Sequence, residues 1–138
     1  MIAEKIIIDA TNSSLGRLAS HAAKQALLGK SITIVNCNNA VISGKKGFIL
    51  ENYKKKRSMK HHGAPALKGP HFPRSPEKIM KRTIRGMLPY KKGHGINAFK
   101  RVICYNNTPI EYENSSKLSL QKTFNIKTIK LKELSELI

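Results

Sequence analysis

Residues 6–35 read IIIDATNSSLGRLASHAAKQALLGKSITIV and spell out one supersecondary unit. Ile6-Ile7-Ile8 is a β-branched run closed by Asp9 and the turn cluster Thr11-Asn12-Ser13-Ser14. Apolar throughout rather than alternating, it predicts a strand buried on both faces. Leu15, Leu18, Ala19, Ala22, Ala23, Ala26 and Leu27 then recur at helical spacing, while Arg17, Ser20, His21, Lys24 and Gln25 take the other side. Ser13 or Ser14 stands where a cap belongs and Gly29 supplies the stop. Ile32 to Val35 is a second buried strand. Strand, helix and strand at this spacing form a βαβ unit, so the two strands run parallel.

Outward from that unit, Ala40-Val41-Ile42-Ser43-Gly44 predicts a short third strand, and Phe48, Ile49 and Tyr53 mark a helix ending in Lys54-Lys55-Lys56-Arg57. From Ser58 to Ser75 periodicity is lost among Gly63, Pro65, Gly69, Pro70 and Pro73, and an irregular stretch of that length is either functional or disordered. Ser75-Pro76-Glu77 opens a helix that runs toward Pro89. Ile79, Met80, Thr83, Ile84 and Met87 lie on one side of it, and Lys78, Lys81, Arg82 and Arg85 centre on the opposite side. A Gly93-His94-Gly95 loop and a short helical turn lead to a fourth strand, Val102 to Tyr105, closed by Asn106-Asn107-Thr108-Pro109. The remainder is polar until Ile126, after which Ile129 and Leu131 alternate with lysines, and Leu134, Leu137 and Ile138 then suggest a last helical turn. With 138 residues, 40% of them apolar, and no internal repeat, a single domain over 1–138 with a real core is expected.

The charge is unevenly laid down. Lys and Arg number 26 against 8 Asp and Glu, a formal +18, and self-repulsion on that scale calls for an anionic partner. Residues 45–101 hold 17 of the cations against Glu51 and Glu77 alone, net +15, with four of the five histidines; the flanking parts carry only +2 and +1. A polyanion-binding face built onto an ordinary domain is the expectation. Its phosphate-facing groups would be Lys45, Lys46, Lys54, Lys55, Lys56, Arg57, Lys60, Lys68, Arg74, Lys78, Lys81, Arg82, Arg85, Lys91, Lys92, Lys100 and Arg101, with Arg17 a weaker candidate. His61, His62, His71 and His94, set among lysines and prolines, suit base stacking or phosphate hydrogen bonds. RNA is favoured over DNA because no helix-turn-helix or finger pattern is present and a basic Pro/Gly-rich loop fits irregular folded RNA. The nearly neutral residues 102–138 are left for protein neighbours.

Other chemistry finds little support in the residues. Asp9 is the only aspartate and Glu51 and Glu77 stand far apart, so a catalytic carboxylate pair or two-metal site is not expected, and Asp9 reads as a group that hydrogen-bonds the following turn. The four histidines match no metal-ligand spacing. Residues 12–16 lack both phosphate-loop patterns, and neither cofactor nor small-molecule substrate is expected. Cys37 and Cys104, without a CxxC, read as reduced core residues. The first nine residues resemble neither a signal nor a transit peptide, and no apolar run reaches the roughly 20 residues of a membrane helix. The chain is therefore expected in the compartment where it is made, or in the nucleus through its basic segments. The alternative to a ribonucleoprotein component is a free regulator acting on messenger RNA.

Several fragments carry a resemblance. Ile7-Ile8-Asp9-Ala10, Leu15-Gly16-Arg17-Leu18-Ala19-Ser20, Leu27-Leu28-Gly29-Lys30, Val35-Asn36, Ile42-Ser43-Gly44 and Arg85-Gly86-Met87-Leu88-Pro89, in that order, resemble the universal L13 family of large-subunit ribosomal proteins, over about residues 6–112. The direct succession of helix and second and third strands is most similar to its archaeal and eukaryotic branch. The resemblance implies a three-layer α/β/α domain on a four-stranded parallel sheet, extended by the basic Pro/Gly-rich loop and helix. It also implies a structural, non-enzymatic role on large-subunit ribosomal RNA beside other ribosomal proteins, in the cytoplasm, with nucleolar transit in a eukaryote. Asn38-Asn39 stand where the family commonly has an acid, His94 where a basic residue is usual, and Asn107 where a turn glycine is frequent.

Overall fold

Ile6, Ile32 and Val102 lie side by side in register, as do Ile8, Ile34 and Cys104. The computed structural model describes residues 4–59 and 70–138. Along the chain come β1 (Lys5–Asp9), α1 (Leu15–Leu27), β2 (Ser31–Val35), β3 (Val41–Ser43), α2 (Lys46–Ser58), α3 (Pro76–Gly86), α4 (Gly93–Lys100), β4 (Val102–Cys104), β5 (Leu118–Ser119), β6 (Thr128–Lys130) and α5 (Leu131–Leu137). Short 3-10 turns occupy Cys37–Asn39 and Ile110–Tyr112. Four strands form a parallel sheet in the order β4-β2-β1-β5.

That order explains how the layers are filled. From β1 to β2 to β4 the chain steps in one direction, and right-handed crossovers place α1, α3 and α4 on the same face. There Ile8, Ile32, Ile34 and Val102 join Leu18, Ala19, Ala22, Ala26, Met80 and Ile84 in one cluster without exposed surface. The return from β4 to β5 runs in the opposite sense and therefore crosses the other face, bringing only the Ile110–Tyr112 turn. Lys5, two residues from Ile7 and so on its face, donates from Nζ to the Tyr112 hydroxyl at 2.6 Å and sits 4.4 Å from the ring centroid. The result is a three-layer α/β/α fold with unequal outer layers. Thr33 and Val35 are buried beneath the thin one, but Ile7 is half-buried and Ile103 is 47% exposed. Burial of β1 on both faces is thus only partly realised, because one 3-10 turn cannot cover what a helix would.

Five further expectations change. β3 does not join the parallel sheet: it pairs antiparallel with β6, Ile42 opposite Ile129, and a bridge from Val41 to Ser14 ties it to the start of α1. Asn36 in the left-handed region and the turn after it carry the chain past the sheet before β3 begins. The fourth parallel strand is instead β5, two exposed residues beside Ile8 and Asp9 with no periodicity to reveal them. Residues 93–95 form the first turn of α4 rather than a loop. Met87 lies beyond the end of α3 and is exposed, while Leu88 turns inward in its place. Ser14 occupies the α1 N-cap without a capping side-chain hydrogen bond, and Ser13 Oγ donates to Thr11 O at 3.4 Å instead. Cys37 is buried and Cys104 half-buried, both as free thiols. The Cys104 side chain, and then burial, push the Cys37 thiol far up.

Asp9 holds the turn after β1, as its position suggests. Its Oδ1 accepts from the Thr11 hydroxyl at 2.7 Å, the Thr11 N–H at 3.0 Å and Asn36 Nδ2 at 3.1 Å. Burial would raise this carboxyl, but those hydrogen bonds and the charge of Lys117 outweigh it and hold the group below its ordinary value. A depressed folded pKa means that the unfolded chain takes up a proton first. The stabilisation is therefore complete above the unfolded value of about 3.9 and is lost as pH falls through the folded one. Urea midpoints of the wild type and Asp9→Asn should differ by a constant amount above about pH 5 and converge below about pH 4.

Candidate nucleic-acid interface

α3 begins at Pro76, whose missing N–H is harmless at the first helical position, with Glu77 beside the positive end of the helix dipole. Its cap comes from afar, since the Glu77 N–H donates to Asn106 Oδ1 at 2.9 Å from beyond β4. Ile79, Met80 and Ile84 are buried, which fixes the opposite face: Lys78 is exposed and Lys81, Arg82 and Arg85 are half-buried. Each of those three lies against an aromatic ring. Lys81 Nζ is 4.8 Å from the Phe99 centroid and donates to Val102 O at 2.8 Å. Arg82 Cζ is 4.3 Å from the Phe72 centroid, and its Nη1 donates to His71 O at 2.7 Å. Arg85 Cζ is 5.0 Å from that of Tyr90. All four cations, with Pro73 and Phe99, line one shallow depression of about 220 Å³.

The end of α2 adds a second cationic surface. Lys54, Lys55 and Arg57 are exposed and Lys56 is half-buried, with Nζ 5.3 Å from the Tyr53 centroid. Cations in a last helical turn suit the negative end of its dipole. Arg57 Nη1 donates to Phe72 O at 3.3 Å and so ties this turn to the segment entering α3. Burial pushes the Tyr53 phenol up. Lys45, Lys91, Lys92, His94 and Lys100 are exposed at the starts of α2 and α4 and at the end of α4. His71 is exposed as well.

Other candidates are engaged with the protein or stand apart. Arg101 Nη1 donates to Ala26 O at 2.6 Å, satisfying a carbonyl in the last turn of α1. Arg74 donates from Nε to Ser135 O at 2.7 Å and from Nη2 to Glu136 O at 3.4 Å, bracing α5. Lys46 forms an ion pair with Glu133. A bond to a carbonyl leaves the charge in place, whereas a carboxylate offsets it. Among the described residues the lysine and arginine ion pairs are Lys46–Glu133 and Lys30–Glu4, so the other lysines and arginines of the basic segment described there keep their charge unoffset by a bonded carboxylate. Arg17 lies outside the α3–α4 depression, in a separate one of about 450 Å³ with Ser14, His21, Gln121 and Lys122. Lys60, His61, His62 and Lys68 lie outside the described residues.

Reading the chain for charge alone misses Lys122, which no spacing links to Arg17, and the rings under the cations. Phe72, flanked by His71 and Pro73, and Tyr90, between Pro89 and Lys91, were the available signals for an aromatic-interleaved basic face. Two family departures turn out to be partners: Asn38 Nδ2 donates to Asn107 Oδ1 at 3.1 Å. Asn107 has a negative φ, so its turn does not require glycine. Among the described residues no three His, Cys, Asp or Glu side chains gather as a metal site, and no helix is long and apolar enough to cross a membrane.

The family model described as Ribosomal protein L13 matches residues 3–111. The large ribosomal subunit protein uL13 of Methanocaldococcus jannaschii is 46% identical over 130 residues, 94% of each chain. That of Picrophilus torridus is 40% identical over 136 residues, 96% of each chain. That of Methanopyrus kandleri is 41% identical over 140 residues, covering 96% of this chain and 86% of the relative.

Proposed function

Since the chain belongs to the ribosomal protein L13 family, we propose that it is a structural constituent of the large ribosomal subunit and binds that subunit's ribosomal RNA through the face built by α2, α3 and α4. The observation that carries this reading is the depression lined by Lys78, Lys81, Arg82 and Arg85, four cations with no carboxylate in the lining and none ion-paired among the described residues. Phosphates of approaching RNA helices would be neutralised there with release of counterions. Rings and carbonyls fix the directions of Lys81 and Arg82, so part of the ordering cost is met within the protein before RNA arrives.

The other side of the sheet suits protein. Ile103 and Ile110 are exposed, the latter by 85%, and Glu111 and Glu113 beside them would repel phosphate. A neighbouring ribosomal protein is the partner we assign to this side, and the ribosome in the cytoplasm is the location. Sedimentation of a lysate through a density gradient tests the reading: the tagged chain should move with large subunits and with intact ribosomes. Recovery only in the light fractions with messenger RNA would replace it by a free translational regulator.

A further inference from the structure

Between α2 and α3 lies a cleft of about 190 Å³ lined by Tyr53, Lys56, Phe72, Arg82, Thr83 and Gly86, among others. It is smaller than the roughly 300–1,000 Å³ typical of drug-sized ligands, and so matches a single planar ring system. Its chemistry is particular. Two aromatic rings arrive from different elements, Tyr53 from α2 and Phe72 from the segment before α3, each with a cation over it. Ile79 contributes an apolar wall and no carboxylate lines the cleft. The Thr83 hydroxyl, donating to Ile79 O at 2.9 Å, still has lone pairs to accept a hydrogen bond. Arg82 and Pro73 also line the cationic depression beside α3, so the two cavities share a rim.

On the premise that this face lies on RNA, we propose that the cleft receives one unstacked base, packed against Tyr53 and Phe72, while the adjoining phosphates rest on the α3 cations. Every base has a π-face, and a base stacked on aromatic side chains needs no particular hydrogen-bonding edge. The cleft would thus fix the register of the chain on a bulged or looped strand, where phosphate contacts alone permit sliding.

The test uses the full chain bound to large-subunit ribosomal RNA. Ultraviolet crosslinking followed by mass spectrometry should find a nucleotide adduct on Tyr53 or Phe72. Tyr53→Leu and Phe72→Leu, which keep apolar bulk but remove the ring, should weaken binding about ten-fold at fixed salt and leave the dependence of log K on log salt unchanged. Tyr53→Phe should bind like the wild type. Wild-type affinity in both leucine variants, or adducts absent from both rings, would overturn the cleft even if lysine substitutions at Lys54, Lys78, Lys91 and Lys92 still reduce the salt dependence. If those lysine substitutions change nothing either, the RNA-binding face itself is wrong. The crosslink is read on the unsubstituted chain, so it decides the matter should a leucine variant fail to fold.

Discussion

Glutamine at Lys54, Lys78, Lys91 and Lys92 together should lower the slope of log K against log salt for large-subunit RNA by about 3, close to 0.7–0.9 for each phosphate contact removed. If the two affinities converge near 1 M salt, the variant binds about a thousand-fold more weakly at 0.1 M. These four are chosen because their side chains are exposed and, among the described residues, make no hydrogen bond or ion pair, so thermal stability should move by less than about 0.5 kcal/mol. The full α3 stripe would be a poorer choice. Lys81 holds the Val102 carbonyl and Arg82 the His71 carbonyl, so their loss would mix a folding defect with a binding defect. Titrations at several salt concentrations supply the slope, and an unchanged one would remove this face from the phosphate interface.

Gly95→Ala is expected to cost about 3 kcal/mol and about 10 °C in Tm, the largest single-residue effect foreseen. A Cβ at this position would lie 1.9 Å from the Pro89 carbonyl oxygen and 2.3 Å from its carbon. Both are backbone atoms, and the oxygen already accepts from the Lys92 N–H at 3.0 Å, so the turn cannot simply swing aside. α4 would have to withdraw, lifting Ala98 from the core and moving Arg101 away from Ala26. Out of a total stability of about 5–15 kcal/mol, such a loss is severe. Gly93→Ala and Gly16→Ala are the controls: nothing lies within 4 Å of either added Cβ, and in the first turn of α1 alanine at position 16 should stabilise by about a few tenths of a kcal/mol. Thermal melts followed by circular dichroism check all three, and a Gly95→Ala melt within 2 °C or so of the wild type would mean that the close approach does not exist in solution.

Most of the cationic surface was legible because charge is a property of composition and spacing. Lys78, Lys81, Arg82 and Arg85 declare a face by their positions on a helix whose other side is Ile79, Met80 and Ile84. What spacing could not say is how much of each cation reaches solvent. Arg101 and Arg74 belong to the same basic segment, yet one braces the end of α1 and the other the end of α5, because carbonyls from residues 75 and 61 positions away arrive beside them. The partner of Lys81 was hidden for the same reason: Phe99 lies on a different helix.

The fold divides along a similar line. Ile6 to Val35 determined the βαβ unit unaided, since a buried β-branched run, an amphipathic helix and a second such run within one short span have few other ways to bury their apolar surface. Tertiary structure alone decided that Leu118–Ser119, not Val41–Ser43, completes the parallel sheet, and that Asn106 caps α3 from outside its own helix. Those choices depend on which backbone groups are left unpaired once the helices and central strands have packed, and periodicity within a segment carries no record of what will lie next to it in space.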